Sequence, residues 1–155
     1  MIEFRAITTE NFDIIVKMIP PKGYEGFVPS AAEAMAEAWL YNDPEHIHPA
    51  AIYADGKPVG FIQLSHGDES NRCLVLWHLL FPEENVNRGY GGETIRLLAR
   101  LARESGRFDE IGLVVDSSNH RAIRVYEREG FRADPPPAEW SEKAKEKYIE
   151  MTLKL

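Results

Sequence analysis

Two short segments carry the residues best suited to chemistry. The first runs Phe81-Pro-Glu-Glu-Asn-Val-Asn-Arg-Gly-Tyr-Gly-Gly-Glu-Thr-Ile-Arg-Leu-Leu98. It reads as a strand end, a loop carrying Gly89, Gly91 and Gly92, and then an amphipathic helix. Such a turn aims backbone N–H groups and a helix N-terminus at one point, which suits an anion such as a pyrophosphate. The amides would do most of the binding. Each hydrogen bond to a charged oxygen contributes roughly 1.5–3 kcal/mol, against about 0.3–1 kcal/mol from an exposed helix dipole. The alternative is that the glycines serve only positive φ or close packing. No Lys-Ser or Lys-Thr pair follows, so this is not a nucleotide P-loop, and the third glycine is out of register for a dinucleotide fingerprint. The second segment is Asn119-His-Arg-Ala-Ile-Arg-Val-Tyr-Glu-Arg-Glu-Gly-Phe131. Asn119 suits a helix N-cap. Tyr126 lies seven residues on, on the face shared by Asn119, Ala122 and Ile123. A tyrosine there is either a core residue or a catalyst.

The elements that must hold these segments can be read in order. Ile2–Ala6 alternates weakly as a first strand. Thr8-Thr9 can cap a helix to about Met18, with Phe12, Ile15, Val16 and Ile19 on its apolar face. Pro20-Pro21 stops it. Ser30-Ala-Ala-Glu33 is a capping-box pattern opening a helix to about Tyr41, with Met35, Ala38 and Trp39 facing inward. Ala50–Ala54, Asp55-Gly56 and Pro58–Leu64 read as a hairpin with a tight turn. Cys73–Phe81 is almost unbroken in its apolar character and should be a central strand covered on both faces. The glycine loop and a helix to about Ser105 follow. Ile111–Val115 is a second buried strand, and a helix from Ser118 or Asn119 ends at Gly130. Phe131 opens a short strand and Tyr148–Leu155 alternates as the last. Hairpins in the first half and helical crossovers in the second predict an α/β fold of one domain over 1–155. Its sheet should be mixed, with helices on both faces.

Composition narrows the function. The chain has 155 residues and is 44% hydrophobic, with 28% charged residues, as expected for an ordinary globular domain. No apolar run could span a bilayer, and the N-terminus lacks the pattern of a signal peptide. The expectation is a cytoplasmic protein with no membrane partner. Cys73 is the only cysteine, so no intrachain disulfide or cysteine metal cluster can form. His46-Ile-His48 lacks a third ligand, so no metal site is expected. A net charge of −7 argues against nucleic-acid binding. Nine arginines nevertheless fall between positions 88 and 132. That concentration fits an anionic cofactor at one end of a site and a cationic acceptor at the other, or solvated helix faces with i,i+4 pairs.

Together the two segments resemble the GNAT superfamily of acyl-CoA-dependent N-acetyltransferases. The family's Gln/Arg-x-x-Gly-x-Gly/Ala loop is matched by Val86-Asn-Arg-Gly89-Tyr-Gly91. Its Asn-x-x-Ala-x-x-x-Tyr-x-x-x-Gly-Phe segment is matched at Asn119, Ala122, Tyr126, Gly130 and Phe131. Val86 departs from the usual Gln or Arg, although its N–H can still serve, and Asn87 stands where many members have another glycine. The first half is similar to bacterial polyamine acetyltransferases in Phe27-Val-Pro-Ser30, Ala51-Ile-Tyr53, Gly56 and Val59-Gly60-Phe61.

The resemblance implies a mixed, mostly antiparallel sheet of six to seven strands flanked by about four helices, with splayed central strands. Acetyl-CoA would be the co-substrate, its diphosphate held by Val86, Asn87, Arg88, Gly89, Tyr90, Gly91 and Gly92. Its pantetheine would pair with the backbone at Leu79, Leu80 and Phe81. Asn119 would contact it, and Tyr126 would give a proton to the departing thiolate. The acceptor would be a small primary amine, such as a polyamine. Protein N-termini and aminoglycosides are alternative acceptors, and a non-catalytic acyl-CoA-binding module is an alternative of another class. Family members are often homodimers, but nothing in the chain fixes its oligomeric state.

One requirement has no obvious residue. A lysine-like amine with a pKa of about 10.4 needs roughly 4.6 kcal/mol to become neutral at pH 7. Strict alternation would turn Val75, Trp77 and Leu79 toward the acceptor and His78 to the other face. Glu25, His66, Asp68, Glu69 and Glu84 are then the available bases. Glu25, Glu33 and Glu37 would suit a cationic substrate.

Overall fold

The computed structural model describes residues 1–155. Seven strands form one sheet in the order β1-β2-β3-β4-β5-β7-β6. They are β1 (Ile2–Arg5), β2 (Ile47–Ala54), β3 (Lys57–His66), β4 (Cys73–Leu80), β5 (Glu110–Asp116), β6 (Arg132–Ala133) and β7 (Tyr148–Lys154). Only β4 and β5 run parallel; every other neighbouring pair is antiparallel. The helices are α1 (Phe12–Ile15), α2 (Ala31–Tyr41), α3 (Tyr90–Ser105), α4 (His120–Arg128) and α5 (Glu142–Lys147), with a 3-10 turn at Glu83–Asn85.

Local chemistry explains most of these boundaries. Asp55 and Gly56 both have positive φ (49° and 78°), the geometry of a tight hairpin turn. Ser30 and Glu33 close the expected capping box at the start of α2. Gly60 is required by close approach, because a Cβ there would lie 2.7 Å from the Leu80 carbonyl and from the Phe81 ring.

Three expectations are corrected. The first helix is a single turn, because Asn11 holds the preceding segment in a non-helical turn. Its side chain accepts from the Thr8 amide (2.9 Å) and donates to the Ala6 carbonyl (3.0 Å), a local alternative to helix. Of the residues expected on that helix's apolar face, only Ile15 is buried; Phe12 and Ile19 are exposed. Trp39 is 79% exposed, since α2 lies on the sheet through Ala31 and Ala34 and residue 39 falls off that stripe. The short helix α5 was not foreseen; Ser141 caps it by accepting from the Ala144 amide (3.2 Å).

The core has two halves. One packs Leu74 and Leu76 of β4 with Ile95, Leu98 and Ala99 of α3 and with Ile111, Leu113 and Phe131. The other packs Leu80 with Phe61, Ile15, Ala31 and Ala34, on the α1–α2 side. A single strand thus changes the face of its buried residues between Leu76 and Leu80. The cause is a bulge: Leu76 pairs with Leu64 and His78 with Gln63, leaving Trp77 as an extra residue. One inserted residue reverses the facing of everything after it.

Candidate active site

Pairing of β4 with β5 stops after Val75–Gly112, while β4 remains paired to β3 as far as Leu80 and β5 to β7 as far as Asp116. The two central strands therefore diverge. A cleft of about 930 Å³ fills the opening. It is bordered by Leu76–Leu79 and Phe81, by Leu113–Asp116, by the loop 85–92, by α4, and by Tyr24, Phe27 and Val28.

The glycine loop forms one end of the cleft. Asn87 (φ 59°) and Gly89 (φ 82°) are both left-handed. Gly89 is the N-cap of α3 and offers no side-chain cap. The amides of Asn87, Arg88 and Gly89 donate to nothing in the protein, and Tyr90, Gly91 and Gly92 are first-turn residues whose N–H groups have no helical acceptor. This is a set of orphaned donors at a helix N-terminus, the arrangement that fits a diphosphate. Arg88, Arg121, Arg124 and Arg128 also border the cleft, and Arg121 donates to Asn87 Oδ1 (3.0 Å). Glu129 accepts from Arg96 (2.7 Å) and Arg128 (3.3 Å), tying the end of α4 to α3 beside the loop.

Each residue expected to contact the co-substrate borders this cleft except Leu80. The Leu80 side chain is turned by the bulge into the core beneath α1 and α2, where it is 1% exposed; the contact expected of this residue is one made by its backbone. Asn119 caps α4 through the Ala122 amide (3.3 Å) while facing the cleft. Tyr126 packs against Phe131 with ring centroids 5.5 Å apart. Burial pushes its phenol up to about 12, so it keeps its proton at neutral pH.

The acid–base residues proposed for the acceptor are redistributed. Glu25, His66, Asp68, Glu69 and Glu84 do not border the cleft. Glu25 accepts from the Gly23 amide (2.8 Å), His66 Nδ1 lies 2.8 Å from the Gly67 carbonyl, and Asp68 accepts from the Ser70 amide (3.0 Å). His78, expected on the opposite face, lines the cleft instead. Its Nε2 lies 2.9 Å from Glu37 Oε1 of α2. Trp77 stacks on the His78 ring (centroids 5.5 Å, 23°) and meets Tyr41 at 5.5 Å. No period-two reading could find His78, because the bulge cancels the alternation it assumes. Far from the cleft, His46 and His48 each pack a ring on His66 (5.2 and 5.1 Å), and His46 is held by Asp43 (2.8 Å).

Comparisons with known proteins bear on the family and the fold. Residues 13–131 match the profile of the Acetyltransferase (GNAT) family. The spermine/spermidine N(1)-acetyltransferase of Bacillus subtilis (strain 168) is 24% identical over 136 residues, covering 84% of this chain and 88% of that protein. Among solved structures, the spermidine N-acetyltransferase of Vibrio cholerae, in complex with CoA and spermine, aligns with a TM-score of 0.76 at 14% identity. That alignment covers 99% of this chain and 95% of the other. The aminoglycoside acetyltransferase AAC(6')-Ib in complex with coenzyme A aligns with a TM-score of 0.75 at 19% identity, over the same shares.

Proposed function

The chain belongs to the Acetyltransferase (GNAT) family, enzymes that use acetyl-CoA as co-substrate, and on that premise we propose that it acetylates a small primary amine of polyamine type. The observation that carries the reading is the divergence of β4 from β5, with orphaned amides at one end and Tyr126 on its wall. The loop 86–92 would hold the diphosphate. The edges of β4 and β5 that no longer pair with each other would accept the amides of the pantetheine arm. The acceptor would enter past Tyr24, Phe27 and Trp77, aromatic surfaces that favour a cation, with Glu37 close by. Kinship with spermine/spermidine acetyltransferases favours a polyamine over a protein N-terminus.

Tyr126 supplies the proton donor in this scheme. A thiol ordinarily titrates near 8.5, so a phenol at about 12 disfavours complete transfer to a free thiolate by about 5 kcal/mol. Burial in the same cleft raises the thiol as well, which narrows the gap. The phenol therefore acts as a hydrogen-bond donor to charge developing on sulfur, transferring its proton as the C–S bond breaks.

The test is acceptor-dependent release of free thiol from acetyl-CoA, across spermidine, spermine, diamines, aminoglycosides and an N-terminal peptide. Turnover led by the polyamines supports the proposal. Turnover confined to the peptide or the aminoglycosides would replace the acceptor, and CoA binding with no acceptor-dependent thiol release would reject acetyl transfer altogether.

A further inference from the structure

We propose that His78, oriented by Glu37, is the base that takes the proton from the acceptor ammonium; the inference rests on the acetyl-transfer reading above. A carboxylate can only accept, so the 2.9 Å contact requires that His78 Nε2 carry the hydrogen. In the neutral ring the lone pair then lies on Nδ1. The imidazole is held from three directions: Glu37 at Nε2, the Trp77 ring stacked on its face, and the β4 backbone, bulged at Trp77, beneath it. The side chain of His78 is 16% exposed and borders the cleft, while that of Glu37 is 40% exposed. The carboxylate therefore sits at the solvent edge beside an imidazole that faces the site. Bulge, stack and carboxylate together bring a histidine to the acceptor side of a strand whose sequence alternation would point it away.

The proton balance closes. His78 Nδ1 takes one proton from R–NH3⁺, and the imidazolium formed is stabilised by Glu37. The neutral nitrogen attacks the thioester carbonyl, forming the C–N bond. As the C–S bond breaks, sulfur takes the phenolic proton of Tyr126. The nitrogen of the intermediate loses its second proton, which restores the phenol. His78 releases its proton to solvent, so one proton leaves per acetyl group transferred. His78 is the catalytic residue here and Glu37 a positioning residue.

The experiment pairs H78Q and E37Q with the intact chain. CoA titration should give both variants the affinity of the parent, which also shows that they fold. At pH 7.5, H78Q should lose about 10²-fold or more in kcat/KM for a lysine-like amine, the usual share of a general base. The loss should shrink steadily toward pH 10, as the acceptor deprotonates without help. In the absence of any CoA, nitrogen NMR of the intact chain should show His78 protonated at Nε2, and E37Q should disturb that tautomer. A loss in H78Q that is independent of pH, full activity in H78Q, or a tautomer indifferent to E37Q would each overturn the assignment. If the intact chain turns over no amine at all, the acetyl-transfer reading fails; turnover that H78Q leaves intact defeats only this proposal.

Discussion

Replacing Gly89 tests the amide cradle most directly. Gly89 sits at φ 82° as the N-cap of α3, and a Cβ there would find only Glu93 Oε1, at 4.0 Å. Space is therefore not the obstacle; the backbone is. A β-branched residue held in the left-handed region costs about 1–2 kcal/mol, which for a chain of this length lowers Tm by roughly 2–8 °C. Gly89→Val should stay folded but relax toward negative φ, swinging two or more amides away from the diphosphate. At roughly 1.5–3 kcal/mol for each bond to a charged oxygen, the loss is about 3–6 kcal/mol, or about 10²–10⁴-fold in Kd for CoA. Gly89→Asn is the control, because asparagine tolerates this region and Asn87 already occupies it two residues earlier. Calorimetric titration with CoA and with dephosphorylated pantetheine separates the effects: the diphosphate-bearing ligand should weaken and the pantetheine should not. Unchanged CoA affinity in Gly89→Val, or an equal loss in Gly89→Asn, would refute the cradle.

Three further outcomes follow from individual side chains. Tyr126→Phe should lower kcat by about 10²-fold or more with CoA affinity nearly unchanged; because the phenol stands at about 12, any alkaline limb below pH 10 that vanishes in this variant would contradict its role. Gln63 is fully buried and neither atom of its amide has a partner in the protein, so Gln63→Met should raise stability by about 1–3 kcal/mol, read as a higher Tm; no gain would mean that the amide is satisfied in solution. Burial, with help from His66 and Arg107, pushes the His48 imidazole down. The unfolded chain then binds the proton first, and stability falls as pH drops through about 6.5 and is unaffected above it. Melting at pH 7.5 and 5.5 should show a smaller loss in His48→Gln than in the parent, and equal losses would reject the coupling.

Local signals made much of this protein readable. The Asp55-Gly56 turn, the Ser30–Glu33 box, the Gly89 loop and the Asn119–Tyr126 helix are each specified by residues within a few positions of one another, so their local structure can be read from spacing, while the roles expected of the last two come from the family resemblance. The one-turn length of α1 has a local cause, the Asn11 side chain reaching back to Ala6, that helix periodicity does not show. The rest of what was hidden depends on distant parts. The Glu37–His78 contact joins residues 41 positions apart and exists only because α2 packs on the face of the sheet that also buries Leu80. Alternation turns His78 to the wrong face because Trp77 adds one residue to a strand whose apolar run carries no sign of it.

That extra residue also links the two halves of the candidate site. A bulge bends its strand and increases local twist. Here it lies just beyond Val75, the last residue of β4 paired to β5. The distortion that turns His78 toward α2 thus sits where β4 leaves its parallel neighbour and the cleft begins. Had β4 stayed regular, His78 would have shared the face of Leu74 and Leu76 in the core beneath α3. The opening that can admit a thioester and the imidazole that can receive the amine's proton meet at one irregularity in β4. Selection on either would therefore constrain Trp77, a residue that itself pairs with nothing in the sheet.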